Sequence, residues 1–153
     1  MQFEFAPMSL RHAETVAGWH YPGIYSFYDL DQDPEDRVEF LDSKNWENKY
    51  YAVLDRNADL VGFFSFAVQH GVVELGLGLR PDCTGKGLGA TFIEAGLQFA
   101  KLTFDPTTFR LSVATFNQRA IRVYEQLGFA RERVFQQKTN GGMYEFVQMA
   151  RPA

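Results

Sequence analysis

The stretch ELGLGLRPDCTGKGLGA, Glu74 to Ala90, places five glycines around a junction between strand and helix. Glycine weakens both kinds of element, so such a cluster signals a backbone that another group approaches closely. Gly85, Gly87 and Gly89 fall where the strand exit becomes the first turn of a helix. Free N–H groups and the helix dipole make that place an anion site, and phosphate is the guest it suits. The familiar phosphate loops fit poorly. A Walker A loop needs Lys followed by Ser or Thr, whereas Lys86 precedes Gly87. A dinucleotide fingerprint needs Gly-x-Gly-x-x-Gly in a parallel βαβ unit, whereas the spacing here is Gly-x-Gly-x-Gly after a strand that closes a meander. Taken alone, the glycines are explained as well by a tight turn that lets the helix pack closely. His12, His20, His70 and Cys83 have no metal-ligand spacing, so no metal is expected.

Length and composition bound the scaffold that must hold this loop. The chain has 153 residues, 46% hydrophobic and 22% charged, which suits one domain over 1–153 with a sizeable core. A net charge of -4 and a pI near 5.3 argue against the basic face of a nucleic-acid binder. The lone Cys83 forms no internal disulfide, and MQFEFAPMSL has neither a basic n-region nor a long apolar run. No stretch approaches the roughly 18 apolar residues that span a bilayer. A cytoplasmic chain without nucleic-acid or membrane partners is expected. The sequence leaves the oligomeric state open, a homodimer included.

Periodicity then supplies the elements. QFEFAP reads as a strand, and Ser9 caps a helix in which Leu10, Ala13, Val16 and Ala17 recur up to Trp19. After the loop WHYPGIYSFYDL, Asp33 caps a second helix with Pro34 at its first position and Glu35 and Asp36 at its positive end. KYYAVLD, LVGFFSFAV and GVVELGLGL read as an antiparallel meander. Leu88, Phe92, Ala95 and Phe99 share one face of a third helix ending near Lys101. The strand FRLSVAT follows. Asn117 stands where an N-cap belongs, before Ala120, Val123, Tyr124 and Leu127 at helical spacing and Gly128 at C′. FARERVFQQ and MYEFVQMA pair across Asn140-Gly141.

This order, with PDCTGKGLGA in the third helix-opening loop and NQRAIRVYEQLGFA near the end, resembles the GCN5-related N-acetyltransferase (GNAT) family. The family loop pattern, Gln/Arg-x-x-Gly-x-Gly/Ala, aligns with Thr84 to Gly89. The later pattern falls on Asn117, Ala120, Tyr124, Gly128 and Phe129. The resemblance implies an α/β (α+β) fold: a mixed, mostly antiparallel twisted sheet of about seven strands with about four helices.

By this resemblance the anion is the pyrophosphate of acetyl-coenzyme A, held by backbone N–H groups of Cys83, Thr84, Gly85, Lys86, Gly87, Leu88, Gly89 and Ala90. The family usually has Gln or Arg at Thr84, so a side-chain contact is weakened there while the main-chain donors remain. The family strand before the loop carries a bulge and splays from its neighbour, which gives Gly76 and Gly78 a role and makes Leu77 and Leu79 candidate main-chain contacts to pantetheine. The implied reaction is direct attack by a primary amine of a small molecule or a protein N-terminus on the thioester. Tyr124 is the implied acid toward the leaving thiolate, and Asn117 stands beside it in the coenzyme wall. Glu74 is the candidate base, with His20 the best placed histidine. Trp19, His20, Tyr25 and Tyr28, with Asp29, Asp31 and Asp33 nearby, are expected to line the acceptor cleft, where aromatic faces and carboxylates suit an ammonium. A non-catalytic acyl-coenzyme A sensor is the alternative that the same fold allows.

Overall fold

The computed structural model describes residues 2–153. Alternating polar and apolar residues build seven strands: β1 (Glu4–Pro7), β2 (Tyr50–Leu54), β3 (Leu60–Gln69), β4 (Val72–Leu79), β5 (Thr108–Ala114), β6 (Ala130–Thr139) and β7 (Gly142–Pro152). They form one sheet in the order β1-β2-β3-β4-β5-β7-β6. Every neighbouring pair is antiparallel except β4 and β5. Four α-helices flank it: α1 (Leu10–Ala17), α2 (Pro34–Leu41), α3 (Gly89–Phe104) and α4 (Gln118–Gln126).

Three helix starts follow from local chemistry. The Ser9 hydroxyl accepts from His12 N at 3.2 Å, Asp33 Oδ1 from Asp36 N at 3.2 Å, and Asn117 Oδ1 from Ala120 N at 3.1 Å. The third helix runs to Phe104, beyond the expected end near Lys101, because Phe104 still packs on the core. Asp105, left-handed at φ 48°, then ends it before Pro106. Asn140 and Gly141, at φ 51° and 74°, make the tight turn between β6 and β7.

Two apolar layers clamp the sheet. On one face Phe64, Phe66, Phe92, Leu97, Phe109 and Ile121 join α3 and α4 to the strands. On the other, Met8, Ala13, Val16, Phe40 and Ala52 seat α1 and α2. Each fully buried phenylalanine contributes on the order of 1.5–3 kcal/mol through its area removed from water. Among the described residues no helix is long and apolar enough to cross a membrane.

Two details differ from expectation. The loop after α1 forms short 3₁₀ turns at Gly23–Tyr28 and Leu30–Gln32 instead of irregular chain. The β3–β4 register also runs unbroken from Gln69↔Val72 to Gly62↔Leu79, so β4 has no bulge toward β3. Gly76 and Gly78 serve packing instead: a Cβ at either position would collide with the cross-strand side chains of Ser65 and Phe63.

Candidate active site

The site begins where two strands part. β4 pairs with β5 only from Val72↔Thr108 to Glu74↔Arg110, and beyond that point their backbones separate. Arg80 N donates to Val61 O at 2.7 Å, which fixes the parity of the antiparallel β3–β4 ladder. Even-numbered residues of β4 therefore exchange bonds with β3, while Leu75, Leu77 and Leu79 turn their backbone groups the other way; the Leu75 N–H serves the last bridge to β5, and its carbonyl with the groups of Leu77 and Leu79 lies along the gap. Leu77 and Leu79, the candidates from the sequence, lie on this edge, and so does the Leu75 carbonyl. Its parity emerges only from the register. Tyr21 confirms the direction by donating its hydroxyl to Leu79 O at 2.8 Å.

The loop after β4 is narrower as a donor set than expected. Cys83 N donates to Arg80 O at 2.8 Å and Thr84 N to Pro81 O at 3.2 Å, so both are consumed by the 3₁₀ turn Pro81–Cys83. The Thr84 hydroxyl is also spent, on Pro81 O at 2.7 Å, and the Cys83 side chain is buried. The remaining donors are the N–H groups of Gly85, Lys86, Gly87 and Leu88, which no acceptor within the described chain engages, together with the opening of α3 at Gly89 and Ala90. Gly85 and Gly87 hold φ 71° and 75°, left-handed values that an L side chain adopts at a cost. A Cβ on Gly87 would meet nothing within 4 Å, so the space above it is open.

Across the gap, α4 presents Tyr124 and Asn117. Tyr124 is 8% exposed, with its ring against Phe129 at 5.9 Å. Its hydroxyl makes no hydrogen bond among the described residues, yet it is not a sealed buried atom. Burial pushes this phenol well above its ordinary value of 10.0, with the neighbouring Tyr28 adding to the shift. It is therefore protonated at neutral pH and free to donate. Asn117 is engaged at both ends of its amide: Oδ1 caps α4, as its place in the sequence predicts, and Nδ2 donates to the Tyr28 hydroxyl at 3.1 Å. It positions α4 and Tyr28, and the second hydrogen of its Nδ2 has no partner among the described residues.

The acceptor-side segment divides sharply. Trp19 packs on the α1–α2 cluster and lies with the core, apart from the other aromatic candidates. Tyr28 stands 5.3 Å from Phe27 and 5.9 Å from Phe116, ring to ring. Tyr25 lies under the Arg119 guanidinium at 4.2 Å. His20 Nδ1 meets Asp29 Oδ2 at 3.0 Å, and Asp29 Oδ1 accepts from Tyr21 N at 2.8 Å, so the buried carboxylate closes the neck of a 20–29 loop. The bond to Asp29 raises the His20 pKa against a smaller opposing effect of desolvation, with Asp31 adding to the rise. Asp33 serves structure: its carboxylate caps α2 and accepts from Asn140 N and Thr139 Oγ1, each at 3.1 Å. Phe27, Tyr28, Asp36, Asn140 and Phe146 line a hollow of about 180 Å³ beside this loop.

Glu74 is exposed and its side chain makes no hydrogen bond; it ends the part of β4 that pairs with β5, on the face of Gly76 and Gly78. Sequence spacing suggested no metal ligands, whereas folding brings His20, Asp29 and Asp31 within 4.8 Å of one another. Both Asp29 oxygens there are already engaged by His20 and Tyr21. Sequence reasoning missed Arg119. The available signal was a cation in the first turn of α4, where the helix dipole disfavours it.

A family model described as an acetyltransferase (GNAT) domain matches residues 2–130. A mycothiol acetyltransferase of Streptomyces avermitilis is 32% identical over 114 residues, 72% of this chain and 35% of the relative. The chain thus spans about a third of that relative's length. The structure of a spermidine N-acetyltransferase from Vibrio cholerae, in complex with CoA and spermine, superposes with a TM-score of 0.78 at 20% identity, covering 99% of this chain and 95% of the other. A ribosomal-protein-S5-alanine acetyltransferase from Vibrio fischeri gives 0.73 at 16% identity, with 99% and 93% covered.

Proposed function

Because this chain belongs to the acetyltransferase (GNAT) family, we propose that it transfers an acetyl group from acetyl-coenzyme A to a primary amine by direct attack. The observation that carries this reading is the gap between β4 and β5. Along it the Leu75 carbonyl, both backbone groups of Leu77 and the Leu79 N–H lead into the unbonded N–H groups of Gly85 to Leu88. An extended amide-bearing arm suits the first, and a diphosphate the second. The residues fit the donor, and when bound it supplies an activated acetyl thioester.

Tyr124 donates a hydrogen bond to the departing sulfur. Its raised pKa makes it a weaker acid than a thiol, ordinarily about 8.5, so hydrogen bonding contributes more than complete proton transfer. The aromatic and acidic hollow beside Tyr28 suits an ammonium group, which must lose a proton before it attacks. Two groups serve that step in this reading. Glu74 acts at the edge of the split, through water, and His20, oriented by Asp29, acts from the loop. Polyamines, the acceptor class of the structurally similar spermidine enzyme, and protein amines, on the pattern of the S5-alanine enzyme, are the acceptor classes to test first.

The test is a panel of polyamines, amino acids and peptides with free N-termini, assayed for acetyl transfer. Melting curves are taken with coenzyme A, ATP and NAD. A ligand selective for the native state raises the melting temperature, so coenzyme A is expected to stabilise far more than the other two. Equal shifts from all three, or none from coenzyme A, refute the assignment. Strong stabilisation without transfer to any amine turns the reading to an acyl-coenzyme A sensor.

A further inference from the structure

Arg119 stands at the meeting point of two parts of the molecule that the sequence keeps far apart. Its guanidinium lies over the Tyr25 ring at 4.2 Å, and its Nη1 would be 3.8 Å from a Cβ on Gly85. One side chain from α4 thus touches the acceptor-side loop and flanks the glycine loop at once. The residue is exposed, and among the described residues no carboxylate forms an ion pair with it. A cation in the first turn of a helix opposes the dipole, and one that has an aromatic face but no ionic partner points to a functional demand. Lys86 offers an ammonium in the same loop, whereas the Thr84 hydroxyl is committed to Pro81 O.

We propose that Arg119 is the side-chain anchor of the donor's diphosphate, held in register by Tyr25, so that coenzyme binding and ordering of the 20–29 acceptor loop are coupled. The inference rests on the coenzyme reading above and deepens it. Stacking uses the face of the guanidinium and leaves its N–H donors in the plane, pointing outward past the ring edge. Those donors complement the unbonded N–H groups of Gly85 to Leu88: the backbone supplies shape, and the arginine supplies charge. Tyr25 belongs to the segment pinned by Tyr21 on Leu79, His20 on Asp29 and Tyr28 on Asn117. Whatever fixes Arg119 therefore stiffens the wall that meets the acceptor, and by linkage an ordered wall favours the coenzyme.

Calorimetric titration of coenzyme A and 3′-dephospho-coenzyme A into the full chain and four variants tests this. Arg119→Ala is expected to weaken both ligands by about tenfold to a hundredfold, the range for a charged hydrogen bond, with the penalty shrinking as salt rises. Arg119→Lys falls between, because it keeps the charge and loses the planar stack. Tyr25→Phe keeps the parent's affinity, because the ring remains, whereas Tyr25→Leu loses severalfold. Circular dichroism melts confirm that each variant is folded. A penalty seen with coenzyme A and absent with the dephospho form assigns Arg119 to the 3′-phosphate and overturns the diphosphate role. Equal binding by the parent and Arg119→Ala overturns this inference alone. A parent that binds neither ligand overturns the coenzyme reading and this inference with it.

Discussion

Replacing Tyr124 by phenylalanine removes one oxygen from the centre of the site. The hydroxyl has no hydrogen bond in the chain, so its loss leaves no partner unsatisfied. The ring and its edge contact with Phe129 at 5.9 Å are retained. Stability is therefore expected to stay within about 0.5 kcal/mol of the parent. Coenzyme affinity is expected to hold as well, because the interaction strengthens only as charge develops on sulfur. The rate is expected to fall by about a hundredfold, or roughly 2.7 kcal/mol of transition-state stabilisation. Burial holds the phenol above its ordinary value of 10.0, so it stays protonated through the neutral range. Parent and variant should therefore give pH–rate profiles of the same shape, offset vertically. The assay is thiol release at saturating amine, with coenzyme affinity by calorimetry and melting followed by circular dichroism. Full activity, with chemistry shown to be rate-limiting, refutes the proposed role and returns Tyr124 to packing. A melting temperature several degrees lower refutes the claim that the hydroxyl is unpartnered.

Gly87→Val places a branched side chain at φ 75° and into the open space above the loop, so coenzyme affinity measured by calorimetry is expected to drop sharply. Thr84→Ala costs much less, because that hydroxyl already bonds within the loop; the reverse order would mean that side-chain contacts dominate. For His20 the folded-state pKa is raised, chiefly by the bond to Asp29. The closure it gives the 20–29 loop is thus fully present below about 6.5 and is lost as pH rises through the higher folded value. NMR titration should show the His20 pKa lower in Asp29→Asn than in the parent, and an unmoved pKa contradicts the pairing. If His20 is the base, the acidic limb of kcat/KM follows it downward in Asp29→Asn. Should Glu74→Gln abolish activity while that limb stays fixed, the base is Glu74.

Much of the molecule was legible because the responsible forces act over a few residues. Caps at Ser9, Asp33 and Asn117, the turn at Asn140-Gly141 and the helical stripe through Tyr124 depend on neighbours within one turn of chain. The glycine loop was legible for the same reason, since positive φ at Gly85 and Gly87 is a local demand. The assignment of donors within it was not. Which N–H groups remain free depends on Arg80 and Pro81 folding back on Cys83 and Thr84. Nor did residue type reveal that both ends of the Asn117 amide are engaged, that Trp19 packs against the α1–α2 core or that Asp33 ties α2 to the β6–β7 turn. Composition and periodicity determined the elements, their order and the anion-seeking loop. Tertiary structure decided which polar groups are spent and which are left for a ligand, because the partners that spend them arrive from far away: Tyr28 reaches Asn117 across 89 residues, and Tyr21 reaches Leu79 across 58. Only closure of the sheet brings such groups within hydrogen-bonding distance.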